Sequence, residues 1–360
     1  MADRLAVGVD IGGTKIAAGV VDEDGRILAQ RRRSTPSTDA ELVLTAIEEI
    51  TAELRSEYPV KAVGIGAAGF IDVSQSTVVF SPHLAWRNEP LRDRVARRTK
   101  LPVLVDNDAN ACAWAEWRFG AAQNEPDVVA VTLGTGIGGA VVIDGQPYRG
   151  GHGMAGEFGH QQVEPGGLAC ECGNRGCWEQ YASGRVLTRR AQAEVAARTS
   201  AGVRLAELAE LEGLDPARVD GTHVTRLAAA GDPVATQWVA EVGQWLGVGL
   251  ANLSASLDPG IFVIGGGLSD AGELLLAPAR EAYTQHLTGR GFRSEARIVR
   301  AHLGPQAGLI GAADMARLKA RRRRPANPGG RVRVRGTSLM SARSSSTSGT
   351  RAARPKRSRQ

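Results

Sequence analysis

Two stretches of this chain follow one pattern, and that pattern constrains its fold more than any other feature. LAVGVDIGGTKIAAGVVDEDGRI begins at Leu5, and VVAVTLGTGIGGAVVIDGQPY begins at Val128. Each reads as a short apolar strand, a glycine turn, a second strand and an Asp-Gly hairpin turn. The repeat is one of pattern and not of identity, with a period of about 120 residues. A duplicated α/β unit predicts two related domains facing one another across a cleft.

The rest of the chain fills in these two units. TPSTDAELVLTAIEEITAELRSEY switches to helical periodicity, with Leu42, Ala46, Ile47, Ile50 and Leu54 expected on the buried face. KAVGIGAAG and LPVLVDNDAN read as strands, and a helix continues through ACAWAEWRFG. Residues 178–250 are mostly helical in pattern, IFVIGGGLSD returns to strand-then-glycine, and PQAGLIGAADMARLKA gives a closing helix with order ending near Lys319. The expected division is an N-terminal α/β lobe over 1–115, completed by the helix near 305–320, and a C-terminal α/β lobe over 116–304.

Charge separates a body from a tail. The net charge of +6 includes thirteen Arg and Lys and no acid over residues 321–360, which leaves −7 on residues 1–320. The tail is low-complexity and rich in Arg, Ser, Gly and Pro, so it is expected to be disordered. Its arginines lack aromatic interleaving. They suit nonspecific polyanion contact and no specific nucleic acid readout. The opening MADRLAVGVD places charge where a signal segment needs apolar residues, and no uncharged apolar run is long enough to cross a bilayer. Four cysteines in 360 residues are too few for a disulfide scaffold, so a cytoplasmic protein with no membrane partner is expected.

Three glycine turns and one polar cluster carry the candidate chemistry. DIGGTK follows one strand and precedes another, which excludes both the dinucleotide fingerprint and the P-loop, since each needs a helix next. Gly12 and Gly13 allow backbone N–H groups to approach a phosphate, Thr14 and Lys15 add a hydroxyl and a charge, and Asp10 can hold Mg²⁺ through water. LGTGIGGA repeats this with Gly134, Thr135, Gly136 and Gly138, and IGGGLSD adds Gly265, Gly266 and Gly267. Each alone also fits a plain tight turn. Together they describe a nucleotide clamped between two domains. In DNDAN, Asp108 is the candidate general base for phosphoryl transfer to an alcohol, although Asn107 or Asp108 would equally serve as a helix N-cap.

HQQVEPGGLACECGNRGC brings His160, Cys170, Cys172 and Cys177 together as H-x₉-C-x-C-x₄-C. One imidazole and three thiolates make a tetrahedral zinc set with no open position, hence a structural metal. The C-x-C spacing is tighter than the usual knuckle, and a disulfide remains the weaker alternative. Glu157 and Glu179 flank this segment and can bind sugar hydroxyls, as can the second ring nitrogen of His160. Either glutamate also fits an ordinary helix N-terminal acid. Cys112 is expected to be a small buried residue of the alanine-rich helix.

With DIGGTK, GIGAAGF, DNDAN, LGTGIGG, GEFGH, CECGNRGCWEQYASG and IGGGLSD in hand, residues 5–318 resemble the bacterial sugar kinases of the ROK family (repressors, open reading frames and kinases), most closely the actinobacterial glucokinases. The resemblance implies a two-lobed actin-like ATPase (ribonuclease-H-like) fold, ATP with Mg²⁺, structural Zn²⁺, and a homodimer or homotetramer. It implies Asp108 as the base acting on D-glucose, with Asn107, Glu157, His160 and Glu179 holding the sugar. Gly69 would border that sugar, preceded by Ala68 where many members carry proline. Another hexose, or polyphosphate as donor, is the nearest alternative. A sugar-sensing repressor would need a helix-turn-helix ahead of the first strand, where Asp10 leaves no room for one.

Overall fold

The computed structural model describes residues 5–82 and 84–322. Most of the basic tail, residues 323–360, therefore lies outside the described residues. The first part of the chain forms β1 (Ala6–Ile11), β2 (Lys15–Val21), β3 (Ile27–Ser34), α1 (Ala40–Glu57) and β4 (Val63–Ala67). The short strands β5 (Phe70–Ile71), β6 (Val78–Phe80) and β7 (Arg87–Glu89) follow, then α2 (Leu91–Thr99), β8 (Val103–Asn107) and α3 (Asp108–Phe119). The second part forms β9 (Val128–Leu133), β10 (Ile137–Ile143) and β11 (Gln146–Tyr148). Then come α4 (Glu179–Ala182), α5 (Gly184–Ala197), α6 (Ser200–Leu211), α7 (Gly221–Ala229) and α8 (Pro233–Leu257). β12 (Ile261–Gly265), α9 (Glu273–His286), β13 (Arg297–Arg300) and α10 (Ala307–Arg322) complete the chain.

The duplication in the sequence becomes a duplicated sheet. The first runs β3-β2-β1-β4-β8 and the second β11-β10-β9-β12-β13. In each, the first three strands pair antiparallel and the last three parallel. The central strands are covered on both faces, which is why AVGVDI and VGIGA read as continuous apolar runs. β3 is an edge strand and alternates, its Arg31 and Arg33 reaching Glu57 and Glu53 of α1.

The buried stripe of α1 differs from the expected one by a small rotation. Val43, Leu44, Ile47, Ile50, Thr51 and Leu54 are buried, while Leu42 is 54% exposed. Asp39 fixes the start by capping the Glu41 and Leu42 N–H groups, which leaves Leu42 on the first turn facing solvent. α8 anchors the other core, with Val239, Leu246 and Leu250 clustered with Phe262 and Trp178.

α10 runs to Arg322, past the expected end at Lys319, and lies directly on the first sheet and on α3. Contact is backbone to backbone at Gly64, where a methyl group would stand 1.8 Å from the Ala312 carbonyl oxygen. Gly64→Ala is therefore expected to destabilise the protein by ~3 kcal/mol, the upper range for overpacking, because only rigid backbone is there to yield. Urea denaturation of the two proteins checks this.

Candidate active site

Parallel strands that end in register place their terminal residues in one row. Asp10 on β1 stands opposite Gly66 on β4, Gly66 opposite Asp106 on β8, and Ala67 opposite Asn107. Thr132 pairs with Gly265 at the corresponding ends of β9 and β12. Crevices outside the carboxyl ends of such strands are where α/β sheets take ligands. A cavity of about 340 Å³ lies there, lined by Asp10 and Lys15 of the first sheet with Asp108 at the start of α3, and by Thr132 and Gly265 of the second sheet with Gly266 just beyond it. A second cavity of about 420 Å³ is lined by Gly134 and Thr135 together with Arg185, Asp220 and Thr222, and Gly267 lines both.

The three glycine turns are thus brought together, though not uniformly. Gly12, Gly13 and Thr14 form the tip between β1 and β2 and line neither cavity. That tip is pinned by the Gly12 N–H to the Lys15 carbonyl (3.0 Å) and by the Thr35 hydroxyl to the Gly12 carbonyl (2.8 Å). Gly136 and Gly138 are close-approach positions: side chains there would meet the Glu179 carboxylate at 2.5 Å and the Thr132 hydroxyl at 2.6 Å.

Asp10 carries a strong electrostatic signature in the cleft. Burial, and then the Asp108 carboxylate, push its carboxyl up to about 6 against the opposing pull of Lys15. Two neighbouring acids that a single lysine does not offset form a donor set suited to a hard cation with water in its shell, so the residues fit Mg²⁺. Cys112 lines the same cavity and is half-buried, where a buried residue was expected. Burial and the carboxylates of Asp10, Asp108 and Glu116 push its thiol well above the usual range.

Asp108 opens α3, its Oδ1 accepting the Ala109 N–H at 3.0 Å. Asn107 is the N-cap: its Oδ1 accepts from the Asn110 N–H (3.1 Å) and its Nδ2 donates to the Gly69 carbonyl (3.2 Å). Gly69 has φ +132°, and a side chain there would lie 2.3 Å from the Phe80 carbonyl oxygen. The Ala68 carbonyl is held by the Ser81 hydroxyl at 2.7 Å. Across the cleft, burial pushes the Glu157 carboxyl up, His160 opposes this, and Asp108 and Glu179 add to it. Asp108, Glu157, His160 and Glu179 therefore share one electrostatic neighbourhood.

His160, Cys170, Cys172 and Cys177 converge, with ligand atoms all within 4.8 Å of one another. Cys172 Sγ stands 3.6 Å from Cys177 Sγ, and His160 Nδ1 stands 3.7 Å from Cys170 Sγ. These spacings are far beyond a disulfide bond of about 2 Å. They match the edge of a tetrahedron with metal–sulfur bonds of about 2.3 Å. Burial, then hydrogen bonding to Cys172 and Cys170, push the Cys177 thiol up to about 12, a balance that a zinc ion among thiolates would reverse. The residues fit zinc. Glu179 joins the cluster to the second glycine turn: Oε1 is 3.3 Å from Cys170 Sγ and Oε2 is 3.5 Å from the Ile137 nitrogen.

Several residues at these cavities have no role that their motifs or neighbours announce. Arg300 and Ser269 line the first cavity, while Arg185, Asp220 and Thr222 line the second. Each comes from an element remote in sequence from the first two glycine turns or lies beyond the glycines of the third. Only Thr132 carries a signal in the sequence, as the residue near a strand end just before LGTG.

Comparison with known proteins agrees with this geometry. A glucokinase of Streptomyces coelicolor is 48% identical over 314 residues, which cover 87% of this chain and 98% of that protein. The crystal structure of a ROK family glucokinase from Streptomyces griseus, in complex with glucose and AMPPNP, superposes with a TM-score of 0.78 at 49% identity, covering 87% of this chain and 99% of that one. A ROK hexokinase from Thermus thermophilus gives a TM-score of 0.71 at 37% identity, covering 88% and 99%. The ROK family model matches residues 6–319, and with that extent of agreement the chain belongs to the ROK family.

Proposed function

We infer that this protein is a glucokinase, transferring the terminal phosphoryl group of ATP to the 6-hydroxyl of D-glucose. The observation that carries this reading is the position of Asp108. It lines the first cavity together with Asp10, Lys15 and Gly265, Gly266 and Gly267 of the third glycine turn, and its charge acts both on Asp10 there and on Glu157 beside the histidine–cysteine cluster. One carboxylate thus stands between a phosphate-binding half and a hydroxyl-binding half. The relation to the glucokinases of Streptomyces supports glucose as acceptor and ATP as donor.

In this reading Asp108 accepts the proton of the 6-hydroxyl as its oxygen attacks the γ-phosphorus in line, breaking the bond to the β,γ-bridging oxygen and releasing ADP. Glu157, His160, Glu179 and Asn107 hold the other hydroxyls, with Gly69 bordering them. Backbone N–H groups of the second and third glycine turns and the Lys15 ammonium face the phosphates. Mg²⁺, held by Asp10 through water, would supply charge neutralisation on the phosphate oxygens. The N-terminal lobe, 1–115 with α10, and the C-terminal lobe, 116–304, would close on the substrates and exclude water. The family resemblance supports a cytoplasmic homodimer or homotetramer. Among the described residues no helix is long and apolar enough to cross a membrane. Assaying a panel of hexoses against ATP and against polyphosphate, with the phosphorylated position determined by NMR, tests the whole assignment. Glucose 6-phosphate formed fastest with ATP is the expected result.

Zinc in the cysteine cluster would do no chemistry but would set the loop that carries Glu179. Cys172→Ser is expected to lose the metal and to raise the glucose KM by roughly tenfold, with a smaller change in kcat. Metal analysis of the purified variant and steady-state kinetics check the two parts separately. An unchanged KM in zinc-free protein would show that the loop holds its shape without the ion.

A further inference from the structure

Asp106 precedes the candidate sugar-binding and catalytic residues, yet it lines neither cavity and is 1% exposed. Its Oδ1 accepts from the Asn107 N–H (2.9 Å) and from Asn110 Nδ2 (3.0 Å). Its Oδ2 accepts from Gln75 Nε2 (2.7 Å) and from Arg149, through Nε (2.8 Å) and Nη2. Arg149 lies just beyond β11 of the second sheet and begins the loop that ends at Glu157. The Ala155 N–H closes that loop on the Arg149 carbonyl at 3.0 Å, and Gly153 sits against the backbone of Ile71. Lys319 of α10 extends the network by donating to Gln75 Oε1 at 3.0 Å.

We propose that Arg149 and Asp106 are a positioning pair that ties the Glu157 loop to the β8–α3 junction and so sets the direction of Asn107 and Asp108. The inference builds on the reading of Asp108 as the base. A buried ion pair adds little net stability over an apolar pair of the same shape, so stability alone is a poor account of this one. Its geometry offers another. Two donors from one planar guanidinium hold Oδ2, which leaves Oδ1 to fix the Asn107 N–H and Asn110 on the first turn of α3. The same arginine anchors the loop that brings Glu157 from the opposite sheet. Two halves of the hydroxyl-binding site thereby share one joint, and small displacements of such groups are costly in rate.

The test compares Arg149→Ala, Arg149→Lys and the paired Asp106→Asn/Arg149→Met protein with wild type and with Asp108→Asn, measuring thermal midpoint, kcat and both KM values. Arg149→Ala is expected to lower kcat roughly 100-fold and to raise the glucose KM, with the ATP KM held within about twofold. The paired variant is expected to regain the thermal midpoint and not the turnover, and Arg149→Lys to regain part of the turnover. Turnover recovering together with the midpoint in the paired variant would overturn the proposal, as would wild-type kcat in Arg149→Ala. If those results came with an inactive Asp108→Asn protein, the functional assignment would stand and only the positioning role would fall. A wild-type protein that phosphorylates no sugar overturns both.

Discussion

Asp108→Asn is expected to lower kcat by at least ~10³-fold while leaving the fold and glucose binding nearly intact. The change keeps the size of the side chain and its capacity to accept from the Ala109 N–H, so the start of α3 should hold. What it removes is the site that takes up the hydroxyl proton. Removing a negative charge also relieves Asp10 and Glu157, both of which it raises, so neither nucleotide nor sugar affinity should suffer. A loss in kcat with a nearly constant KM is therefore the expected signature, since the interaction removed belongs to the transition state. Stopped assays of glucose 6-phosphate formation, with glucose affinity measured by calorimetry, separate the two quantities. Near-full turnover would remove Asp108 from its role and would move the search for a base to Glu157.

The parts of this site that sequence reveals are those built by local chemistry. A glycine turn after an apolar strand is set by a few adjacent residues, so the motifs alone point to Gly134, Thr135, Gly265 and Gly266, all of which line cavities. The four ligands of the cysteine cluster are legible because thiolate and imidazole in such numbers have few other uses. The rest depends on long-range pairing. Nothing in the residues around Asp106 announces that Arg149, forty-three residues later, meets its carboxylate. Gly64 and Ala312 look like ordinary small residues until two elements nearly 250 positions apart meet through them. Leu42 departs from its expected face for a related reason. A periodic apolar stripe fixes a helix face only to within a residue, and the Asp39 cap decides the rotation.

Asp10→Asn should trade function for stability. In the folded chain the Asp10 carboxyl titrates near 6, against 3.8 for the ordinary side chain, because burial and Asp108 both disfavour its charge. The folded state therefore holds this proton more tightly than the unfolded state does. Stability of the wild-type protein falls as pH rises from about 4 through about 6, and the full cost is present above that. The neutral amide avoids the cost. In chelator, without nucleotide, Asp10→Asn is expected to be the more stable protein at pH 8 by ~2 kcal/mol, and the difference should narrow toward zero near pH 4. Urea denaturation at both pH values measures this directly. Turnover should move the opposite way, falling by ~10²-fold or more, because the charge that burdens the cleft is the one that would hold Mg²⁺ against the phosphates. Magnesium with nucleotide should accordingly stabilise the wild-type protein at pH 8 far more than the variant. A variant that gained no stability at high pH would mean that Lys15 already satisfies Asp10. The carboxylate would then be an ordinary ion-pair partner and not a cation site waiting for its charge.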